Sequence, residues 1–187
     1  MRLFLAINLS SDVRRELHDT TLSLRDCAPE VGWVAEARLH LTVKFLGEQP
    51  SERVDEITAA LSATAARHRH LSMTVGGIGA FPNFRRPRVV WVGVAHDARL
   101  ELLHHDLEVA FERIGFEVEG RPFRPHITLG RIRTPLPDDR RRELSRAARR
   151  IDFQMELDVR TIELMASNLT AAGAAYTTLG SAALRSD

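Results

Sequence analysis

The chain reads as a duplicated α+β unit, two lobes facing one another across a cleft, and three observations predict it. A short string occurs twice, as His40-Leu-Thr-Val-Lys-Phe-Leu-Gly47 and as His126-Ile-Thr-Leu-Gly-Arg131, 86 positions apart in a chain of 187. Around each copy, stretches of period two alternate with stretches of period near 3.6, so strands and helices interleave in both halves. No low-complexity linker divides the halves, so residues 1–187 are expected to form a single compact two-lobed domain. The signs of duplication are the motif pair and the similar element order, not extended self-similarity.

The elements follow in order. Arg2 to Leu9 is an apolar strand, and Ser10 or Ser11 can cap a helix to about Cys27 with Val13, Leu17 and Leu24 on one side. Trp33-Val34 and Leu39 to Leu46 are two strands, the second closed by Gly47 and Pro50. A helix from about Ser51 lines up Val54, Ile57 and Leu61 and ends in the cationic Arg67-His-Arg-His70, as the helix dipole favours. Strands are expected at Leu71 to Gly77 and at the β-branched Arg88 to Val94, with Gly79-Ala-Phe-Pro-Asn-Phe-Arg-Arg-Pro87 as the loop between. The clearest helix runs from Asp97 to Ile114, with Leu100, Leu103, Leu107, Ala110 and Ile114 on one stripe and Gly115 as its stop. After the second motif, Pro137-Asp138-Asp139 opens an arginine-rich helix to about Arg150. Strands near 152–157, 159–166 and 174–179 complete the chain.

Composition excludes several classes. A hydrophobic content of 44% fits a globular core, and no stretch approaches the roughly 20 apolar residues of a membrane span. Cys27 has no partner in the sequence, which rules out an internal disulfide and fits a reducing, cytoplasmic setting. The N-terminal apolar run is too short for a signal peptide's core. Net charge is only +1, yet 25 of the 26 basic residues are arginine. Codon bias accounts for that skew most simply, although the single lysine, Lys44, falls inside the first motif.

The motifs carry the chemistry. On a strand, His40 and Thr42 share a face, as do His126 and Thr128, while Leu41, Val43 and Phe45, like Ile127 and Leu129, point to the core. Hydrolysis of a cyclic phosphate ester needs one proton taken from water and one given to the departing oxygen, roughly in line through phosphorus. One neutral imidazole and one imidazolium supply both near neutrality. Threonine hydroxyls are suitable donors to the phosphate oxygens. Lys44 has the parity of the histidine face, and Arg124 and Arg131 offer further positive charge. Strict alternation puts Arg131 on the wrong face, so it serves only if the strand bends or bulges near Gly130. Pro125 makes the parity of Arg124 unreliable.

His40-Leu-Thr-Val and His126-Ile-Thr-Leu resemble the paired signatures (the HxT motif) of the two-histidine phosphoesterase superfamily. The longer strings, His40 to Glu48 and Arg124 to Arg131, resemble its bacterial and archaeal RNA 2′,3′-cyclic phosphodiesterase branch, once called the 2′-5′ RNA ligase. The likeness extends to Arg2-Leu-Phe-Leu-Ala-Ile7, Gly79-Ala-Phe-Pro82, Pro87-Arg-Val-Val-Trp91 and Tyr176, and so covers nearly the whole chain. Val43 stands where leucine is commoner. The resemblance implies a bilobal α+β fold, two antiparallel sheets facing a central cleft with helices outside. It implies metal-independent hydrolysis of RNA 2′,3′-cyclic phosphate ends to 2′-phosphomonoesters, with no cofactor. His40 would be the proton donor, His126 the proton acceptor, and Thr42 and Thr128 would hold phosphate oxygens. Lys44, Arg124 and Arg131 remain candidate substrate-binding residues. The expected partner is RNA or an oligonucleotide with a 2′,3′-cyclic phosphate end, acted on by a cytoplasmic monomer away from any membrane. Two alternatives stay open: 2′-5′ RNA end ligation by the reverse reaction, and a non-catalytic RNA-end-binding protein.

Weaker signals have plainer explanations. Phe81, Phe84 and Trp33 could stack on bases, but packing accounts for each alone. Arg85, Arg86 and Arg88 could form a phosphate-attracting rim, whereas Arg140 to Arg142 and Arg149-Arg150 read as a solvated helix face. Gly76-Gly-Ile-Gly79 lacks the spacing of a nucleotide fingerprint. His68, His70, His104 and His105 lack the companions of a metal site.

Overall fold

The computed structural model describes residues 1–170 and 173–186. Its strands are β1 (Arg2–Asn8), β2 (Gly32–Trp33), β3 (His40–Glu48), β4 (Leu71–Phe81), β5 (Val89–Val94), β6 (His126–Arg131), β7 (Gln154–Val159), β8 (Thr161–Thr170) and β9 (Gly173–Ala183). The helices are α1 (Ser11–Thr20), α2 (Leu22–Cys27), α3 (Val54–Ala65), α4 (Ala98–Arg113) and α5 (Asp138–Arg150). The α+β class therefore holds.

The strands pair antiparallel in the order β7-β4-β5-β6-β3-β1-β8-β9, with β2 attached to β6. At the centre, β3 and β6 meet through one residue pair, Leu41 opposite Ile127. The two expected sheets are thus two four-stranded wings of one curled sheet, hinged at this seam. The wings are not the two halves of the chain. One combines β1 and β3 with the C-terminal hairpin β8–β9, and the other holds β4 to β7. No helix among the described residues is long and apolar enough to cross a membrane.

Helices cover one side of the sheet. Helix α3 packs on β8 and β9, α4 packs on α3 and β3, and α5 lies against β4 with α2 beside it. Leu41, Ile127 and Leu129 are fully buried on that side, each contributing about 1.5–3 kcal/mol of apolar burial. The opposite face of β1 carries Phe4 and Ala6, which pack with Met165 and Tyr176 in a second small cluster.

Local chemistry sets the boundaries. Ser10 caps α1 by accepting from the Val13 amide, and Asp97 caps α4 by accepting from Arg99 and Leu100. The helix expected to run to Cys27 breaks at Thr21, whose hydroxyl donates to the Leu17 and His18 carbonyls and competes with the helical ladder. Strand β4 runs past its expected end at Gly77, because Gly77, at φ +70, forms a bulge between Gly76 and Ile78 and pairing with β5 resumes.

Candidate active site

Strands β3 and β6 bring both His-x-Thr motifs to the seam. With Leu41 opposite Ile127, antiparallel register sets His40 beside Thr128 and Thr42 beside His126. In ideal pairing the diagonal of such a square, histidine to histidine, is about 7–8 Å, somewhat less between Cβ atoms.

Both rings are held alike. His40 Nδ1–H donates to the Arg38 carbonyl at 2.8 Å, and His126 Nδ1–H donates to the Arg124 carbonyl at 2.7 Å. A carbonyl only accepts, so each neutral ring carries its proton on Nδ1 and presents Nε2 as a base. His40 Nε2 lies 3.1 Å from Thr42 Oγ1, whose hydroxyl then donates to it. His126 Nε2 has no hydrogen-bond partner among the described residues. The shared carbonyl extends the repeat to Arg-x-His-x-Thr, Arg38 to Thr42 and Arg124 to Thr128. That longer pattern stands in the sequence and was the signal for the anchors.

Each ring sits in an aromatic seat. Phe4 and Tyr176 flank His40 with centroids at 5.1 and 5.2 Å, the tyrosine edge-on. Phe81 meets His126 edge-on at 5.0 Å, and Trp91 lies 6.4 Å away, packed on Phe81. The seats explain the electrostatics. Burial is the chief cause holding both histidines below the ordinary imidazole value; the backbone hydrogen bond opposes it, and the charge of Arg131 adds to it. One guanidinium thus acts on both rings.

Two bulges decide which neighbours face the histidines. In β6, Val90 pairs with Gly130 but Trp91 pairs with Thr128, so Leu129 is extra and the strand changes parity. Arg131 thereby returns to the histidine face, the condition its candidacy required. In β3, Leu5 pairs with Lys44 but Ala6 pairs with Thr42, so Val43 is extra. The same flip removes Lys44 from the histidine face, which corrects the parity reading. Lys44 is 5% exposed and donates to Glu108 Oε2 at 2.7 Å and to the Glu117 carbonyl at 3.0 Å. Phe45 moves the other way: expected in the core, it is 64% exposed, and its ring lies 6.4 Å from Phe4. In the duplicated frame Phe45 occupies the place of Arg131. Arg124 has an exposed side chain and contributes its carbonyl to the site.

Other candidates stay outside. Trp33 is pinned by its indole N–H to the Ala28 carbonyl at 3.0 Å and packs over Gly130, and Cys27 is half-buried. His68 pairs with Asp106 at 2.9 Å, and His104 stacks on Phe123. No group of three or more His, Cys, Asp or Glu side chains suited to a metal occurs among the described residues.

A curled antiparallel sheet with paired His-x-Thr strands at its seam defines a two-histidine phosphoesterase fold. The chain belongs to the 2′-5′ RNA ligase superfamily, whose family model matches residues 12–170. A Thermotoga maritima protein named RNA 2′,3′-cyclic phosphodiesterase is 33% identical over 96% of this chain and 93% of its own length. A Thermus thermophilus protein of the same name is 32% identical, covering 100% of this chain and 92% of the relative. Among solved structures, TT0787 of Thermus thermophilus superposes with a TM-score of 0.82 at 31% identity and full coverage of both chains. E. coli LigT complexed with 3′-AMP gives 0.69 at 31% identity, covering 98% of this chain and 97% of the other.

Proposed function

We propose that this protein hydrolyses 2′,3′-cyclic phosphate ends of RNA to 2′-phosphomonoesters, using His40 and His126 and no metal. The observation that carries the reading is the matched anchoring of two imidazoles, both held by Nδ1 with Nε2 turned from the anchor, on adjoining strands of one seam. The names of the relatives, RNA 2′,3′-cyclic phosphodiesterase, supply the substrate class.

In this reading the family resemblance assigns the donor and acceptor roles. His126 Nε2, without a partner among the described residues, takes a proton from water as the water oxygen bonds to phosphorus. His40, as imidazolium, gives its Nε2 proton to the 3′ oxygen as the P–O3′ bond breaks, leaving a 3′-hydroxyl and a 2′-phosphate. Thr42 and Thr128 donate to the equatorial oxygens, and Arg131 offsets their negative charge. The histidines end with exchanged protonation states and return through solvent. Each well-placed acid or base is worth about 10²–10⁴ in rate.

The experiment is an oligonucleotide with a 2′,3′-cyclic end incubated in excess EDTA, with the product's phosphate position read by ³¹P NMR. The expected product carries a 2′-phosphate, and His40→Ala and His126→Ala each lose about 10²–10⁴ in kcat. Full turnover by His126→Ala, or a requirement for added metal, would defeat the mechanism.

A further inference from the structure

We propose that the groove between loop 82–87 and helix α5 binds the phosphodiester backbone of the RNA strand leading up to the cyclic end. This rests on the function proposed above and extends it from a terminal nucleotide to a polynucleotide.

The groove holds about 650 Å³, and neither histidine is in its lining. One wall is Asn83, Phe84 and Arg85, and the other is the face of α5 that presents Arg142, Ser145 and Arg149. The one lining carboxylate among the described residues, Asp138, already accepts a hydrogen bond from Arg141. The guanidinium groups of Arg85, Arg142 and Arg149 have no ion-pair or hydrogen-bond partner among the described residues. Arg142 and Arg149 are two turns apart on one helical face, about 10 Å along the axis, with Ser145 between them. Unpaired arginines set in a row, not at a point, suit a chain of phosphates.

The chain leads from the His126 seat directly into the groove wall. Phe81 contacts the His126 ring at 5.0 Å, and the groove wall begins two residues later at Asn83. The wall is preformed: Asn83 Oδ1 accepts from the Arg85 and Arg86 amides at 2.9 and 3.2 Å, and the Arg88 amide donates to the Phe81 carbonyl at 2.7 Å. A 2′,3′-cyclic phosphate occupies the 3′ terminus, so every other phosphate lies on the 5′ side. A strand of several nucleotides extends beyond the histidines, and the groove offers its phosphates unpaired positive charge. Phe84 adds an aromatic face among the arginines, the pairing that single-strand binders use.

The test compares wild type with Arg85→Gln/Arg142→Gln/Arg149→Gln on two substrates, a 2′,3′-cyclic mononucleotide and a twelve-nucleotide RNA with the same end. The variant should keep wild-type kcat/KM on the mononucleotide. On the RNA it should lose about tenfold or more through KM, and its salt slope (log kcat/KM against log salt) should flatten by up to about 2. Unchanged RNA kinetics and slope overturn the proposal. So does an equal loss when the exposed Arg15, Arg113 and Arg160, outside the groove, are neutralised instead. If wild type hydrolyses neither substrate, the proposed activity has failed. The groove is then judged by fluorescence anisotropy of a labelled twelve-nucleotide RNA ending in a 2′-phosphate, where a flattened salt slope in the variant supports it and an identical slope overturns it. Binding to phosphatidylserine vesicles that the variant loses, with RNA behaviour intact, also overturns it and marks a lipid-facing surface.

Discussion

At the scale of single residues, burial sets the working pH and Arg131 adds to it. General-acid chemistry needs His40 protonated and general-base chemistry needs His126 neutral, so the limbs of kcat/KM against pH report both rings in the free enzyme. Burial and the Arg131 charge each favour the neutral imidazoles, so both limbs, and the maximum between them, lie on the acid side of the ordinary histidine value. Replacing Arg131 by Gln removes one of these depressing influences, and both limbs should move alkaline while kcat/KM falls overall. A profile from pH 4.5 to 8.5 for the two proteins decides it. A fall without any displacement would show that Arg131 meets only the phosphate and does not act on the rings.

At the scale of elements, the bulges mark where the sequence ceased to be legible. The strand character of both motifs, the shared face of His40 with Thr42 and of His126 with Thr128, and the amphipathic α4 all follow from periodicity, and the structure has them. Lys44, Phe45 and Arg131 do not follow, because one extra residue reverses parity, and bulge placement depends on partner strands distant in sequence. Gly130 was a partial clue: a Cβ there would sit 2.7 Å from both Trp33 and Val31, so β2 packs where a side chain would be. The aromatic seats were hidden for a similar reason, since Phe4 and Tyr176 meet His40 only through the β1–β8–β9 order. Gly79 shows the same dependence. A Cβ on it would lie 2.2 Å from two carbons of the Trp91 ring. Gly79→Ala should therefore displace Trp91 from Phe81, cost about 1–3 kcal/mol and lower Tm by about 2–12 °C, with reduced kcat as the His126 seat loosens. A thermal melt with steady-state kinetics checks both.

The displaced lysine also has a structural role. Lys44 ties β3 to α4 through Glu108 and to the segment before the second motif through the Glu117 carbonyl, while the Glu119 amide donates to the same carboxylate oxygen, Oε2, at 3.0 Å. Removing the cation leaves a buried carboxylate uncompensated. Lys44→Met should cost about 3–5 kcal/mol, and Lys44→Met/Glu108→Met should cost less than the single change, because no unpaired charge then remains inside. Urea titrations of the three proteins test the order. A single variant as stable as wild type would place Lys44 in solvent.

At the scale of the whole molecule, the wings exchange chain segments, and that has a thermodynamic consequence. The first wing needs both ends of the chain, β1 and β3 from one and β8–β9 from the other, while the second is built from the middle. Buried side chains of both wings form one apolar cluster, with Leu41 and Ile127 on either side of the seam. Neither wing then has a boundary along which to unfold alone, and the chain should melt as one cooperative unit. The two tryptophans allow a direct test, since Trp33 on β2 and Trp91 on β5 both report on the second wing. Leu164 lies on β8 in the first wing and is fully buried. Leu164→Ala should destabilise by about 2–5 kcal/mol, moving the urea midpoint down by about 1–2 M. Tryptophan fluorescence should show the same displaced midpoint as far-UV circular dichroism, although the lesion is in the other wing. A fluorescence midpoint that stayed at its wild-type value while the dichroism transition split would mean that the seam separates two folding units, and the histidines would then sit on bodies free to part.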